Sequence, residues 1–475
     1  MSAEALKKTF SVKGVVGIVL SVIVMAAACV IPGSEQLSRE GVMGLGIMVT
    51  AVVLWICETF PAGVTGILVL VLAGVFNVVP LKTVFSGFGG TTVFFVIGVF
   101  SLTILMMKTN LGQRLTRNLI KWAGPNSKKL VLAFMIGSAV ISTVMTDTGA
   151  VVITMGLALP FLEAINHKPG SSNLGKCIML GVAFAAIMGG FCTPAGHSMN
   201  VLALGMLGEA TGQSIGFLQW MVVGIPFAIV MIPICWFFLT KILKPEALEE
   251  SDVELALSET QDLGKFSTME KKALVMLIGV PVLWILGNWI PVLDTTTVAV
   301  IGLAIMFLPG MNLLTWEDMQ KGVPWNIILM LGGILSLGSI LGATGGAAFI
   351  ANLFLSSGVL EMSPLAALLL IGAFAYLLHT FLPVAPAILT IFLPPLFAFA
   401  QAAGISPAIP MLIVVAIVSG NFILPLNPTI TVAYAKGYFT FGDVAKAGII
   451  PAVLFVAILV PWVYFIAGTL GLGMA

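Results

Sequence analysis

One carboxylate, Asp147, stands inside an apolar stretch with hydroxyls on both sides: Ser142, Thr143, Thr146 and Thr148. A charged side chain at membrane depth costs at least ~2.5 kcal/mol, so it marks a functional position by default. Hydroxyls, carbonyls and a carboxylate are hard oxygen donors, which suit a hard cation such as Na⁺. A buried carboxyl can equally serve as a protonatable site. A third role is structural: Asp147 would cap the helix after it by accepting from free N–H groups. These roles can hold together.

Two other apolar stretches break in the same way, roughly 230 residues apart. Gly189 to Asn200 reads GGFCTPAGHSMN, and Gly420 to Thr431 reads GNFILPLNPTIT. Laid over each other they share Gly189/Gly420, Phe191/Phe422 and Pro194/Pro425. A break at membrane depth frees backbone N–H and C=O groups that lipid cannot satisfy. Paired breaks in corresponding halves point to the binding site of a secondary transporter. The helix restarting after each break presents N–H groups suited to an anion. His197, Ser198 and Asn200 follow the first break; Asn427 and Thr429 follow the second.

The chain has three histidines, and two of them, His197 and His379, fall at such interruptions. Each could touch substrate or be a hydrogen-bonded structural residue. His167 reads as interfacial. Glu58, in WICETFP, ends an apolar run and reads as a snorkelling or capping residue. The five cysteines are scattered in apolar segments with no metal or redox spacing and read as packed thiols. No His-Glu-x-x-His or paired carboxylate supports an intramembrane enzyme. Neither catalytic residues nor a transition metal is expected.

The elements that must position these residues are membrane helices. Of 475 residues, 59% are hydrophobic and 9% charged, against about 25% charged in soluble chains. The net charge of +1 gives no basis for a nucleic-acid partner. The fold class is therefore an all-α polytopic membrane protein whose environment is the lipid bilayer. Apolar runs near the spanning length of about 20 residues occur at 14–32, 41–57, 62–80, 91–108, 216–240, 272–290, 295–309, 325–342 and 446–470. With the broken helices at 174–209 and 407–435 they make about 11 transmembrane helices. Lys7, Lys8 and Lys13 precede the first run without a cleavage site, so it reads as an uncleaved helix.

The stretches 129–166 and 362–402 read as re-entrant helical hairpins. Their tips would be Thr146 to Gly149 and His379 to Pro386. Residues 110–123 alternate Leu111, Leu115, Leu119, Ile120 and Trp122 with Arg114, Arg117 and Lys121, the pattern of an interfacial amphipathic helix. Lysine and arginine cluster at the N-terminus, at 108–129 and at 241–272. That bias places the N-terminus in the cytoplasm and the C-terminus outside, with Arg39 and Lys82 as exceptions. The hairpins then enter from opposite faces, which makes the halves inverted repeats.

The repeat is visible in sequence as well. Leu54-Trp55-Ile56 through Pro61 resembles Leu283-Trp284-Ile285 through Pro291. LKTVFSGFGGTTVFFVIGVFSL parallels LTWEDMQKGVPWNIILMLGGILSL. Thr146 to Pro160 and Thr380 to Pro394 are equally spaced. The expected organisation is a first helix (1–40), repeat 1 (41–243), a solvated cytoplasmic linker (244–271) and repeat 2 (272–475).

Taken together, WICETFPAGVTG, GGFCTPAGHSMN, WEDMQKGVPWNIILMLGG and GYFTFGDVAKAGI resemble the divalent anion:sodium symporters, which carry dicarboxylates, citrate or sulfate. The likeness covers nearly the whole chain. It implies an inverted-repeat homodimer with a fixed scaffold, a moving transport part and elevator-like alternating access. It implies no enzyme activity, no cofactor, Na⁺ as the coupling ion, and a plasma-membrane location, the inner membrane in a bacterium. The family's signature is a Ser-Asn-Thr triplet at each hairpin tip, which binds sodium and substrate carboxylates. Here the first tip is Thr146-Asp147-Thr148, and the second has no such triplet, whether Thr380-Phe381-Leu382 or Pro383-Val384-Ala385 is aligned with it. Ser142 and Gly196 match positions that help hold the first sodium. His197 replaces a small hydroxyl residue.

The resemblance and the residues together imply a divergent secondary transporter. Its cation would bind at Ser142, Thr146, Asp147 and Gly196. Its small anion would bind at Thr148, His197, Ser198, Asn200, Thr380, Asn427 and Thr429. Proton-coupled transport, anion exchange, and efflux of an oxyanion or metalloid are the alternatives.

Overall fold

The computed structural model describes residues 12–259, 263–382 and 384–470. Lys7, Lys8 and Pro383 lie outside them. Among the described residues all regular structure is helical. Helix α1 (Val12–Val30) precedes α2 (Arg39–Ile56), α3 (Ala62–Val75), α4 (Leu81–Val84), α5 (Thr91–Met107) and α6 (Leu111–Ala123). The first hairpin is α7 (Ser127–Ser142) and α8 (Asp147–Ala164). The first broken helix is α9 (Asn173–Phe191) and α10 (Ser198–Thr211), followed by α11 (Phe217–Leu243). Helix α12 (Glu250–Glu259) lies in the connection.

The same order then recurs. Helices α13 (Thr268–Leu286), α14 (Thr295–Phe307), α15 (Trp316–Gly322), α16 (Trp325–Ala343) and α17 (Gly346–Leu355) lead to a second hairpin, α18 (Pro364–Phe381) and α19 (Ala385–Ala402). A second broken helix, α20 (Ala408–Ser419) and α21 (Pro428–Tyr434), precedes α22 (Phe441–Thr469). Each series closes on its longest helix, of 27 and 29 residues.

Local sequence sets the helix starts. Ser38, Asn126, Ser172 and Ser363 accept from backbone N–H groups at the starts of α2, α7, α9 and α18. Ser267/Glu270, Thr315/Asp318 and Thr440/Asp443 form reciprocal capping boxes on α13, α15 and α22.

Ten helices among the described residues are long and apolar enough to cross a membrane, against the 11 or so crossings expected. The two sets differ in membership. The ten include α8, α18 and α19, which the sequence assigns to hairpins. They omit four of the expected crossings. Helices α3, α14 and α20 have 14, 13 and 12 residues, about 20 Å each against a core of about 30 Å. Helix α13 carries Glu270, Lys271 and Lys272 in its first turns. Length and composition do not separate a hairpin arm from a crossing.

Burial places the broken helices at the centre. The α9 span is 94% buried, whereas those of α1, α11 and α22 are 28–39% buried and show wide apolar faces. All twelve residues of α20 are buried. Helix α9 packs on α7, α8, α11 and α21, and α20 packs on α10, α18, α19 and α22. Outside this centre α3 crosses α16 so closely that a Cβ on Gly333 would lie 2.4 Å from Gly66 Cα, a small-residue crossing typical of membrane helices.

Helix α6 forms where the amphipathic pattern predicts it and leaves Trp122 exposed. The connection read as a solvated linker is mostly exposed, and parts of it dock on the helices beside it. Helix α12 packs on α8 with Val253 buried. Arg114 of α6 pairs with Glu270 at 2.8 Å, donates to the carbonyls of Leu263 and Gly264, and lies over the Phe266 ring. Glu58 is exposed and faces Lys13 at 3.8 Å, a surface pair between α1 and the end of α2.

Candidate functional site

Both tips and both breaks meet at one cavity of about 470 Å³. The first tip contributes Thr146, Asp147 and Thr148. The first break contributes His197, Ser198 and Met199; the second contributes Asn427, Pro428 and Thr429. His379, Ala385 and Pro386 come from the second hairpin. The opposite wall is Phe100, Thr103, Asn326 and Met330 of α5 and α16. An open recess of about 600 Å³ at α17–α19 is lined almost entirely by apolar side chains and has little to recognise an anion.

Asp147 is 3% exposed and begins α8. Its Oδ1 accepts from the Thr148 backbone N–H at 2.9 Å, one of the free N–H groups of the first turn, while the N-cap residue is Thr146. Its Oδ2 accepts from Thr429 Oγ1 at 2.6 Å, and Thr429 Oγ1 lies 3.2 Å from Thr148 Oγ1. The hairpin tip and the second helix break are thereby linked by side chains 282 residues apart. Asn427 aligns Thr429: its Oδ1 accepts from the Thr429 N–H and its Nδ2 donates to Ser419 O across the break.

His197 caps α10 with its ring: Nδ1 accepts from the Met199 N–H at 3.0 Å. An accepting Nδ1 carries no proton, so the remaining proton is on Nε2, which faces Asp147 Oδ2 at 3.6 Å. The imidazole in this geometry is neutral. The sequence reading of helix N-termini as open anion sites is narrowed accordingly, because His197 and Asn427 each occupy an N–H of their own terminus.

Behind Asp147 the backbone closes in. A Cβ on Gly190 would lie 3.1 Å from Gly196 O and 3.4 Å from both Asp147 Cβ and Ser142 Oγ. A side chain there would press on Gly196 O and make ordinary contact with the other two groups. A Cβ on Gly196 would lie 2.7 Å from Ser142 O. Of the four expected cation ligands only Thr146 and Asp147 line the cavity, and Ser142 Oγ donates to Ala186 O. Ser142, Asp147 and Gly196 nonetheless pack as one cluster around Gly190. Asn200 ties it together by donating to Gly190 O and Thr193 O at 2.9 Å each, which leaves its buried Oδ1 without a partner. This donor set fits a small hard cation and offers nothing soft. No group of three or more His, Cys, Asp or Glu suited to a metal ion occurs among the described residues.

Not every expected residue reaches the cavity. Thr380 is absent from its lining, and its hydroxyl donates back to Tyr376 O at 2.8 Å. Asn200 sits in the wall rather than facing the space. Sequence reasoning missed Gly190, Thr103 and Asn326. Asn326 is a lone amide in an apolar helix, a signal that could have found it; its Oδ1 accepts from the Gly63 N–H at 2.7 Å. Gly190 and Thr103 carry no such signal.

Among the described residues no lysine or arginine lines the cavity, and its one acid is Asp147. An anion entering beside that carboxylate is repelled until a cation neutralises it. Residues 12–469 match the sodium:sulfate symporter transmembrane region. The chain belongs to that family. Its relatives include a sodium-dependent dicarboxylate transporter of Staphylococcus saprophyticus, 27% identical over 97% of this chain and 92% of that protein. The Staphylococcus aureus transporter of the same description is 25% identical over the same shares.

Two solved transporters share the fold of this symporter-family chain. Neisseria gonorrhoeae MtrF, described among antimetabolite efflux pumps, has a TM-score of 0.56 at 14% identity, covering 95% of this chain and 94% of its own. The Alcanivorax borkumensis YdaH transporter has a TM-score of 0.56 at 13% identity, covering 97% and 99%. The family member described here is thus an integral membrane protein with the all-helical fold of membrane transporters.

Proposed function

We propose that this protein is a secondary transporter that moves a small dianion, a dicarboxylate or sulfate, together with Na⁺. One observation carries the reading: among the described residues, the shared cavity holds one acid, Asp147, and no lysine or arginine. Anion binding there requires prior or simultaneous cation binding, which is the thermodynamic basis of coupling. Na⁺ is bound by oxygens of Ser142, Thr146, Asp147 and Gly196. The anion is held by Thr148, His197 Nε2–H, Ser198 and the residues after the second break. Asn427 and Asn200 position these groups from behind.

The hairpins are re-entrant, the two series of helices are inverted repeats, and the protein is a homodimer with a cytoplasmic N-terminus. Alternating access is elevator-like, with the hairpins and broken helices moving against α3, α5 and α16. Because the second tip lacks an amide triplet, no more than about two cations move per anion; each charge moved is worth about 2.3 kcal/mol per 100 mV. The test is uptake of labelled succinate and sulfate into proteoliposomes. An inward Na⁺ gradient should drive accumulation of one of them, and K⁺ should not replace it. Equal uptake in K⁺ would overturn sodium coupling, and reversal potentials giving about three or more Na⁺ per anion would restore a second sodium site.

A further inference from the structure

We propose that His379 takes up a proton as the anion binds, so that the second hairpin contributes a proton to the transport cycle where it lacks the family's triplet. The inference rests on the anion-transport reading above. His379 sits in the last turn of α18, lines the shared cavity, and is 2% exposed. Among the described residues neither ring nitrogen makes a hydrogen bond of ordinary geometry, although the ring lies near the Leu382 backbone; His197 by contrast uses its Nδ1 on the Met199 N–H. A buried polar group without a partner is costly, so a ring that can donate and accept is poised for a ligand.

The groups around it supply no competing charge on its own side. On α18 the nearest titratable side chain is Tyr376, whose hydroxyl accepts from the Phe422 N–H. Asn421, on the break, donates to the His379 backbone carbonyl. Helix α22 meets α18 at Phe455, with Tyr376 and Phe455 ring centroids 6.1 Å apart. Its Asp443, Lys446 and Tyr464 are more than two turns from that contact. Helices α19 and α20 carry no titratable residue, and Glu361 precedes the far end of α18. Across the cavity stand His197 and Asp147, already engaged with each other. The variable charges near His379 are therefore the Na⁺ at Asp147, held constant by working in Na⁺, and the transported anion. A dianion in contact with the ring favours imidazolium. One proton is taken from solution with the anion and returned when the anion leaves on the other side.

The test uses purified full-length protein in Na⁺, with succinate, fumarate and sulfate as probes. Proton exchange is read by an indicator dye in weakly buffered solution, and binding by calorimetry. Wild type should take up close to one more proton per bound anion than His379→Gln or His379→Asn; this difference cancels titration of the anion itself. Wild-type affinity should fall as pH rises, by up to tenfold per pH unit, and the variants should flatten that slope. Binding with equal proton uptake in wild type and variants overturns the proposal alone. Variants that no longer bind leave the wild type to decide: a pH-independent affinity for sulfate overturns it. No binding of any probe overturns the transport reading and this inference with it.

Discussion

Thr429 Oγ1 donates to Asp147 Oδ2 at 2.6 Å, and this contact fastens the first hairpin tip to the second broken helix. The same Asp147 oxygen faces His197 Nε2 at 3.6 Å. One carboxylate therefore senses three elements that meet at the cavity. A change at any of them alters the environment that a cation experiences.

Asp147→Asn should weaken coupling while leaving the fold intact, because the amide oxygen can keep the Thr148 N–H and the Thr429 hydroxyl can turn to accept from the amide N–H. Na⁺ affinity of the anion-free protein should fall about tenfold or more, in line with about 1.5–3 kcal/mol for a charged hydrogen-bond partner. Anion affinity without Na⁺ should rise, because the repelling charge is gone. Thermal-shift titrations of Na⁺ with and without succinate measure both. Unchanged Na⁺ dependence would reduce Asp147 to a partner for the first-turn N–H.

Thr429→Val removes the donor to Asp147 at nearly constant volume. It leaves a buried carboxylate oxygen short of a partner, a cost of about 1–3 kcal/mol. The expected result is lower thermal stability in the absence of Na⁺, with part of the loss recovered when Na⁺ is added. In a double-mutant cycle with Asp147→Asn the two changes should be non-additive by about 0.5–3 kcal/mol. Simple additivity would show that the contact carries no energy.

His197→Thr exchanges the ring for the small hydroxyl that the family resemblance places there. A threonine at an N-cap can still accept from the following backbone N–H groups, so α10 should survive. The Nε2–H facing Asp147 is lost. Competition by a graded set of mono-, di- and tricarboxylates should then show a changed order of preference. An unchanged order and unchanged affinity would remove His197 from the anion site.

Away from the membrane-embedded centre, Asp318 ties α15 to Lys108 at the end of α5, with 2.6 Å between the charged atoms. Burial pushes the Asp318 carboxyl up, but the Lys108 ammonium and the Thr315 N–H and hydroxyl outweigh it and hold it down at about 2. A carboxyl held below its unfolded value of about 3.9 stabilises the fold above that pH and loses the effect as pH falls towards 2. Lys108→Met should therefore lower the melting temperature at pH 7, by about 1 kcal/mol of stability. The gap from wild type should close as the buffer is taken below pH 4. A constant gap across that range would assign the loss to packing instead.

Much of the architecture was legible because membrane helices announce themselves locally. Apolar runs, Pro and Gly interruptions, and Thr-x-x-Asp caps are features of neighbouring residues, and the lipid solvent leaves few alternatives to helix. The isolation of Asp147 in such a run, and the two matching breaks, were visible for the same reason. What the tertiary structure decided is how residues far apart in sequence use their hydrogen bonds. Thr380 and Thr429 are both hydroxyls beside interruptions, yet one bonds back to its own helix and the other reaches Asp147. His197 and His379 look alike in sequence, but a backbone N–H occupies His197 Nδ1, while among the described residues neither nitrogen of His379 makes a hydrogen bond of ordinary geometry. The stretch 244–271 looks solvated by composition, yet docking against α6 and α8 supplies partners for some of its polar groups. Burial and partner choice depend on which helices pack together, and a local pattern cannot encode that.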